Sequence, residues 1–118
     1  KAFKVFFLDS GVRNALVDIA SPMETRADKG AIFENFFVTE RLKQGTLAIF
    51  PPEIMFWRTR AGAEIDVIEK NGIEIFAYEC KWKKTITVPM AFKTAYPKAH
   101  FECITTENIL THGVKKVL

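Results

Sequence analysis

The chain has 118 residues, 48% of them apolar, with 11 phenylalanines and a formal net charge of +3. That size and composition support one modest core and exclude a disordered chain. The charge is too small to establish a nucleic-acid partner, and no apolar run reaches membrane-spanning length or forms a secretory leader, so a cytoplasmic protein with no membrane partner is expected.

In chain order, Phe3–Leu8 reads as a short strand ended by Asp9-Ser10-Gly11. Ser10 then caps a helix whose Val12, Ala15, Leu16 and Ile19 follow helical spacing until Ser21-Pro22. A second helix is expected from Asp28 or Lys29 to about Leu42, with an apolar stripe of Ile32, Phe33, Phe36 and Phe37 and an adjoining row of Glu34, Val38 and Arg41. Gly45 reads as its left-handed terminator. Thr46–Phe50 is strand-like, Pro51-Pro52 interrupts it, and Ile54–Arg58 forms the next strand. Thr59–Ala63 makes a turn in which Gly62 is free to take positive φ.

Glu64–Lys81 is the most informative stretch. β-Rich runs flank Asn71-Gly72, a strong signal for a two-residue hairpin turn. Closed on that turn, Lys70 pairs with Ile73, Asp66 with Ala77, and Glu64 with Glu79. Strand alternation then puts Glu64, Asp66, Glu79 and Lys81 on one face with Ile68, Ile73, Ile75 and Ala77. Ile65, Val67, Phe76, Tyr78, Cys80 and Trp82 occupy the other. Apolar residues on both faces describe a strand covered on both sides, where clustered carboxylates are costly to bury and a divalent cation would relieve them.

Trp82-Lys83-Lys84 follows, a basic run able to hold a phosphate backbone and stack on a splayed base. A helix runs from Pro89 until Pro97, and His100–Thr105 is a further strand ended by Thr106-Glu107-Asn108. Val114–Leu118 reads as an edge strand guarded by Lys115-Lys116. Cys80 and Cys103 lie in apolar runs, as reduced core residues would. No P-loop signature is present, so this chain is not expected to bind ATP by that device, and no serine-nucleophile signature appears. A chain beginning at Lys1 is expected to be a piece of something longer.

The order helix, strand, strand, strand, helix, strand, with Asp66, twelve intervening residues, then Glu79-Cys80-Lys81, resembles the PD-(D/E)xK nuclease superfamily. The runs Lys4–Arg13, Gly30–Phe37 with its Glu34-Asn35, Phe56–Thr59 and Glu64–Ile68 are also similar to the C-terminal domain of a bacterial and archaeal AAA-type ATPase family. These resemblances imply an α/β fold with a restriction-endonuclease-like αβββαβ core, a mixed central sheet flanked by helices. Residues 1–118 would be a single domain, the C-terminal part of a longer ATPase, with ATPase and winged-helix domains upstream as partners.

By the same resemblance, Asp66, Glu79 and Lys81 would be catalytic. Mg²⁺ or Mn²⁺ would be held by Glu34, Asp66, Glu79 and the Cys80 backbone carbonyl, while Arg58, Arg60, Lys83 and Lys84 would contact phosphate or DNA. The expected function is Mg-dependent DNA phosphodiester cleavage. Its alternative is a non-catalytic DNA-binding or protein-docking module of an ATPase with the same fold, and a third account is a structural salt-bridge network of Glu34, Asp66, Glu79 and Lys81.

Overall fold

The computed structural model describes residues 5–7, 22 and 25–110. Its elements run α1 (Lys29–Gly45), β1 (Glu53–Arg58), β2 (Glu64–Asn71), β3 (Glu74–Cys80), α2 (Met90–Ala95) and β4 (His100–Ile104). The four strands form one sheet in the order β1-β2-β3-β4. β1–β2 and β2–β3 pair antiparallel, and β3–β4 pair parallel through the α2 crossover. The chain is therefore α/β, with a mixed sheet flanked by two helices. Among the described residues, no helix is long and apolar enough to cross a membrane.

Two cores lie on the two faces of the sheet. Phe33, Phe37 and Val38 of α1 pack on Val67, Tyr78, Cys80 and Ile104. Phe92 of α2 packs on Ile65, Ile68 and Ala77, with Trp57 and Phe101 beside it. Phe37 and Phe92 are almost wholly withdrawn from water, which stabilises the fold by roughly 2–3 kcal/mol each.

The hairpin between β2 and β3 closes one residue later than the sequence suggests. Asn71 pairs with Glu74 and Lys70 with Ile75, so the loop is Gly72-Ile73 and not Asn71-Gly72. Gly72 takes φ 65 at the first loop position, a conformation that glycine adopts without a Cβ penalty. Ile73, expected on the carboxylate face, instead projects into solvent. The expected pairs Lys70–Ile73, Asp66–Ala77 and Glu64–Glu79 do not form; the ladder is displaced by two residues, an even shift that keeps side chains on their faces from Val67 to Asn71.

β2 also carries an irregularity. Met55 lies opposite Ile68, but Trp57 lies opposite Ile65, so Asp66 and Val67 together face Phe56. This two-against-one count is a β-bulge. It carries Ile65 across to the α2 face, where it joins Ile68, contrary to the simple alternation that placed it with Val67. With a core on each face of the sheet, five consecutive residues, Ile65 to Glu69, are buried.

Other expectations need correction. Thr46–Phe50 forms turns and bends, not a strand, with Leu47 donating to Gln44 O at 3.0 Å and Ala48 to Gly45 O at 3.1 Å. Gly45 is the last helical residue, and Thr46 follows at φ −67 with no left-handed residue. Of Phe3–Leu8, Val5–Phe7 are described and join no strand ladder. The expected helix after Ser10 and the strand Val114–Leu118 lie outside the described residues. The Thr59–Ala63 turn forms as expected, with Gly62 at φ 98 and Thr59 N donating to Ala63 O at 2.8 Å.

Candidate functional site

The bulge sets the position of Asp66. The β2–β3 ladder reaches Val67–Tyr78, and one step further Asp66 comes beside Glu79 as a near-direct cross-strand neighbour. Asp66 Oδ2 accepts the main-chain N–H of Cys80 at 2.8 Å. The carboxylate thus replaces a backbone carbonyl where the ladder stops. Asp66 and Glu79 are 7% and 4% exposed, so both acids are withdrawn from water, as the sheet covered on both faces requires.

Their side chains lie within hydrogen-bonding reach of each other, which two carboxyl groups can use only with a proton on one of them. Burial, then that bond and the charge of Asp66, push Glu79 up to about 9. Lys81 opposes the rise and Glu64 adds to it. Asp66, Lys81 and Glu64 therefore all act on Glu79, although the bulge puts Glu64 on the opposite face from the one expected. Lys81 stands exposed at the end of β3, with its main-chain N–H on Ile104 O at 2.9 Å. Cys103 is the β4 partner of Glu79.

Glu34 is half-buried on α1, and its charge contributes to raising the Cys80 thiol, though less than burial and Asp66 do. It thus reaches the site from behind, on the side where Cys80 packs under the helix. Glu64 is exposed and pairs with its cross-strand neighbour Arg58 at 3.3 Å. Arg60, Lys83 and Lys84 are exposed around the same end of the sheet. The Trp82 ring is engaged within the protein, edge-on to Phe33 at 5.8 Å with the Lys29 ammonium 5.8 Å from its centre. That occupies the surface on which a base was expected to stack.

Two buried polar arrangements have no counterpart in the sequence reading. Arg41 Nε and Nη2 donate to the two carboxylate oxygens of Glu69, both side chains nearly inaccessible, with the guanidinium 5.2 Å from the Tyr78 ring centre. Burial raises Tyr78 to about 12 against the opposing pull of Arg41. Asn35 accepts from Phe7 N at 2.7 Å and donates to Phe7 O at 2.8 Å, clamping that main chain to α1. The pairs Arg41–Glu69 and Asn35–Phe7 are each 28 residues apart, beyond the reach of a local motif.

The donor set can be tested against a divalent cation. Two adjacent carboxyl oxygen donors suit Mg²⁺, which uses one or two protein carboxylates and completes its shell with water and substrate phosphate. The pair fits in kind. Among the described residues, however, no three His, Cys, Asp or Glu side chains converge as a metal group. Glu34 therefore does not complete a three-acid cage with Asp66 and Glu79.

No curated protein and no solved structure matches the chain. The family model described as "Domain of unknown function (DUF4143)" matches residues 29–113, which contain every described strand and both helices. That match spans well over half of the sequence, and the chain belongs to this family.

Proposed function

We propose that Asp66, Glu79 and Lys81 form a divalent-cation-dependent phosphodiester-cleaving site acting on DNA. The observation that carries this reading is the burial of two carboxyl groups, Asp66 and Glu79, side by side where the β2–β3 ladder ends, with Lys81 following on the chain. Two acids forced together in a dry site cannot both ionise unless positive charge replaces the proton. A bound Mg²⁺ or Mn²⁺ supplies that charge and steadies the phosphate under attack. Asp66 and Glu79 would hold the ion through carboxylate oxygens, with Glu79 in its deprotonated form. Lys81, exposed at the strand end, places its ammonium toward the scissile phosphate. Arg58, Arg60, Lys83 and Lys84 surround this end of the sheet and favour a polyanion. In the overall step a water oxygen bonds to phosphorus, one P–O bond to sugar breaks, and the leaving oxygen takes up a proton. The resemblance to an ATPase C-terminal domain adds upstream ATPase and winged-helix domains as partners within a longer chain.

The test incubates the protein with supercoiled and single-stranded DNA plus Mn²⁺, beside Glu79→Ala and Lys81→Ala. Nicking that needs the metal and disappears in both variants supports the site. Nicking that survives both substitutions assigns it elsewhere and ends the proposal.

A second reading is a non-catalytic docking module. It is favoured by the lack of a three-acid group among the described residues and by the exposure of Leu47, Ile49, Phe50 and Ile73. Large apolar side chains so exposed mark contact surfaces when they are contiguous. Metal-independent DNA or protein binding without cleavage selects this reading.

A further inference from the structure

The sheet face under α1 is not covered along its whole length. The helix packs over Val67, Tyr78, Cys80 and Ile104, and β2 and β3 continue past it to their hairpin. There the sheet and the segment joining α1 to β1 enclose a cleft of about 350 Å³. Glu69, Phe76 and Tyr78 line it from the strands, and Arg41, Phe50 and Pro52 from the opposite side. Asn71 and Glu74, a cross-strand pair, stand exposed at its mouth. Phe76 and Tyr78 also line an adjoining hollow, where His100 and Glu102 of β4 lie beside them.

Tyr78 is only 3% exposed, yet its hydroxyl has no hydrogen-bond partner among the described residues, and it lines the cleft. Buried hydroxyls are normally paired. The charge of the lining is also unbalanced. Among its described residues Arg41 is the only base, and its Nε and Nη2 are given to the two oxygens of Glu69. Glu74 adds a carboxylate with no second base to offset it, and Glu102 acts on the Tyr78 hydroxyl through its charge. The rings of Phe50, Phe76 and Tyr78 complete the wall, and aromatic faces attract cations. Arg41 already uses one of them, 5.2 Å from the Tyr78 ring centre. We propose that this cleft binds a small organic cation, a primary ammonium group on a short apolar stem.

An ammonium carries three donors and no acceptor, and the lining offers the complement. Tyr78 Oη and the Glu74 carboxylate accept, and Glu69 keeps lone pairs beyond the two that Arg41 uses. The stem lies against Phe50 and Phe76. Other occupants fit less well. An anion, a nucleic-acid phosphate included, meets surplus carboxylate and an arginine already engaged. A wholly apolar group would strip water from the Tyr78 hydroxyl and replace it with nothing, which lowers its affinity. Successive residues of a strand point to opposite faces, so the cleft at Tyr78 lies across the sheet from Glu79. Binding there is independent of the phosphodiesterase reading.

The experiment follows amide chemical shifts of the isotope-labelled whole chain during titration with n-butylammonium, its neutral counterpart n-butanol, and butyrate. The cation is expected to give saturable shifts at Glu69, Phe76 and Tyr78, and the other two none. Tyr78→Phe, which removes the hydroxyl and keeps the ring, should weaken binding by about tenfold, the effect of losing one hydrogen bond to a charged group. Glu74→Gln should weaken it by roughly threefold, as for an exposed ion pair, and serves as the second variant if Tyr78→Phe disturbs the core. The peptide acetyl-Gly-Lys-Gly-amide separates two sources of the ammonium. Tighter binding than n-butylammonium assigns it to a basic side chain of a polypeptide, and weaker binding to a free amine. An equal response to n-butanol, a preference for butyrate, no saturable shift at these amides, or full affinity in both variants overturns the proposal.

Discussion

Asp66 accepts the main-chain N–H of Cys80 at 2.8 Å, so one carboxylate both repairs the β2–β3 ladder and stands against the carboxyl group of Glu79. The bulge opposite Phe56 makes this possible, because it turns Asp66 out of simple alternation and into the gap that it opens. Structural and chemical roles are therefore joined in one side chain. Any substitution there acts on both.

Asp66→Ala leaves the buried Cys80 N–H without its acceptor, and a cost of about 1–3 kcal/mol follows. Asp66→Asn keeps an oxygen in place and should cost less. Urea denaturation of the two variants checks the order. Equal losses would show that the Cys80 hydrogen bond contributes little.

Glu79 gives the pH dependence its sign. Its folded value of about 9 lies above the ordinary 4.5, so the folded state binds more protons between those limits. The stabilising contribution is fully present below about pH 4.5 and is lost as pH rises toward about 9, with a slope of at most about 1.4 kcal/mol per pH unit. Glu79→Gln should flatten that slope. A cation that displaces the proton works in the opposite direction, so stabilisation by Mn²⁺ should increase from pH 6 to pH 8.5. Thermal shifts at the two pH values, with and without Mn²⁺, read both effects. A Mn²⁺ shift that is independent of pH, or unchanged in Asp66→Ala, places the ion elsewhere.

Much of this arrangement was legible in the sequence, and the failures have physical causes. The nearness of Asp66, Glu79 and Lys81 survives a mistaken register, because the shift from an Asn71-Gly72 to a Gly72-Ile73 loop is even, whereas the bulge that carries Ile65 to the α2 face takes Glu64 off the face expected for it. The shift brings Asp66 from a diagonal position to the side of Glu79. The bulge was not legible, since Asp66-Val67 carries no glycine or proline to announce it. Gly45 resembled a left-handed terminator by type alone, yet it is itself the last helical residue and Thr46 follows at φ −67. Asn35 and Arg41 could be placed on a helix, but their partners lie across the fold, and nothing local specifies such pairs. From Lys29 to Ile104 the element order was read correctly apart from the strand expected at Thr46–Phe50, since each strand and helix there has its own apolar pattern and boundary residues.

Asn35 offers a local test of the clamp on Phe7. Its two hydrogen bonds to one residue's main chain stabilise that segment by about 1–2 kcal/mol together. Asn35→Ala should accelerate amide exchange at Phe7 by roughly the five- to thirtyfold that this energy represents, with little change in the β2–β3 amides. Unaltered exchange at Phe7 would mean that other contacts hold the segment.

Arg41 and Glu69 pose the last question, whether a buried ion pair stabilises this fold or selects its register. Their side chains are 2% and 5% exposed, so removing either partner strands a charge where water cannot reach it. Arg41→Met or Glu69→Leu alone should cost about 3–5 kcal/mol. The pair of substitutions together removes both charges and leaves apolar volume against Tyr78 and should cost far less than the sum, because desolvation of the ions offsets much of their attraction. Urea denaturation of the two single variants and the double variant completes the cycle. A double variant as unstable as the sum of the singles would show no coupling, and the pair would then be two independent packing contacts. A recovered stability with a lost hairpin register, read from amide contacts between Lys70 and Ile75, would instead identify the ion pair as the element that holds Glu69, and with it Asp66, in place on β2.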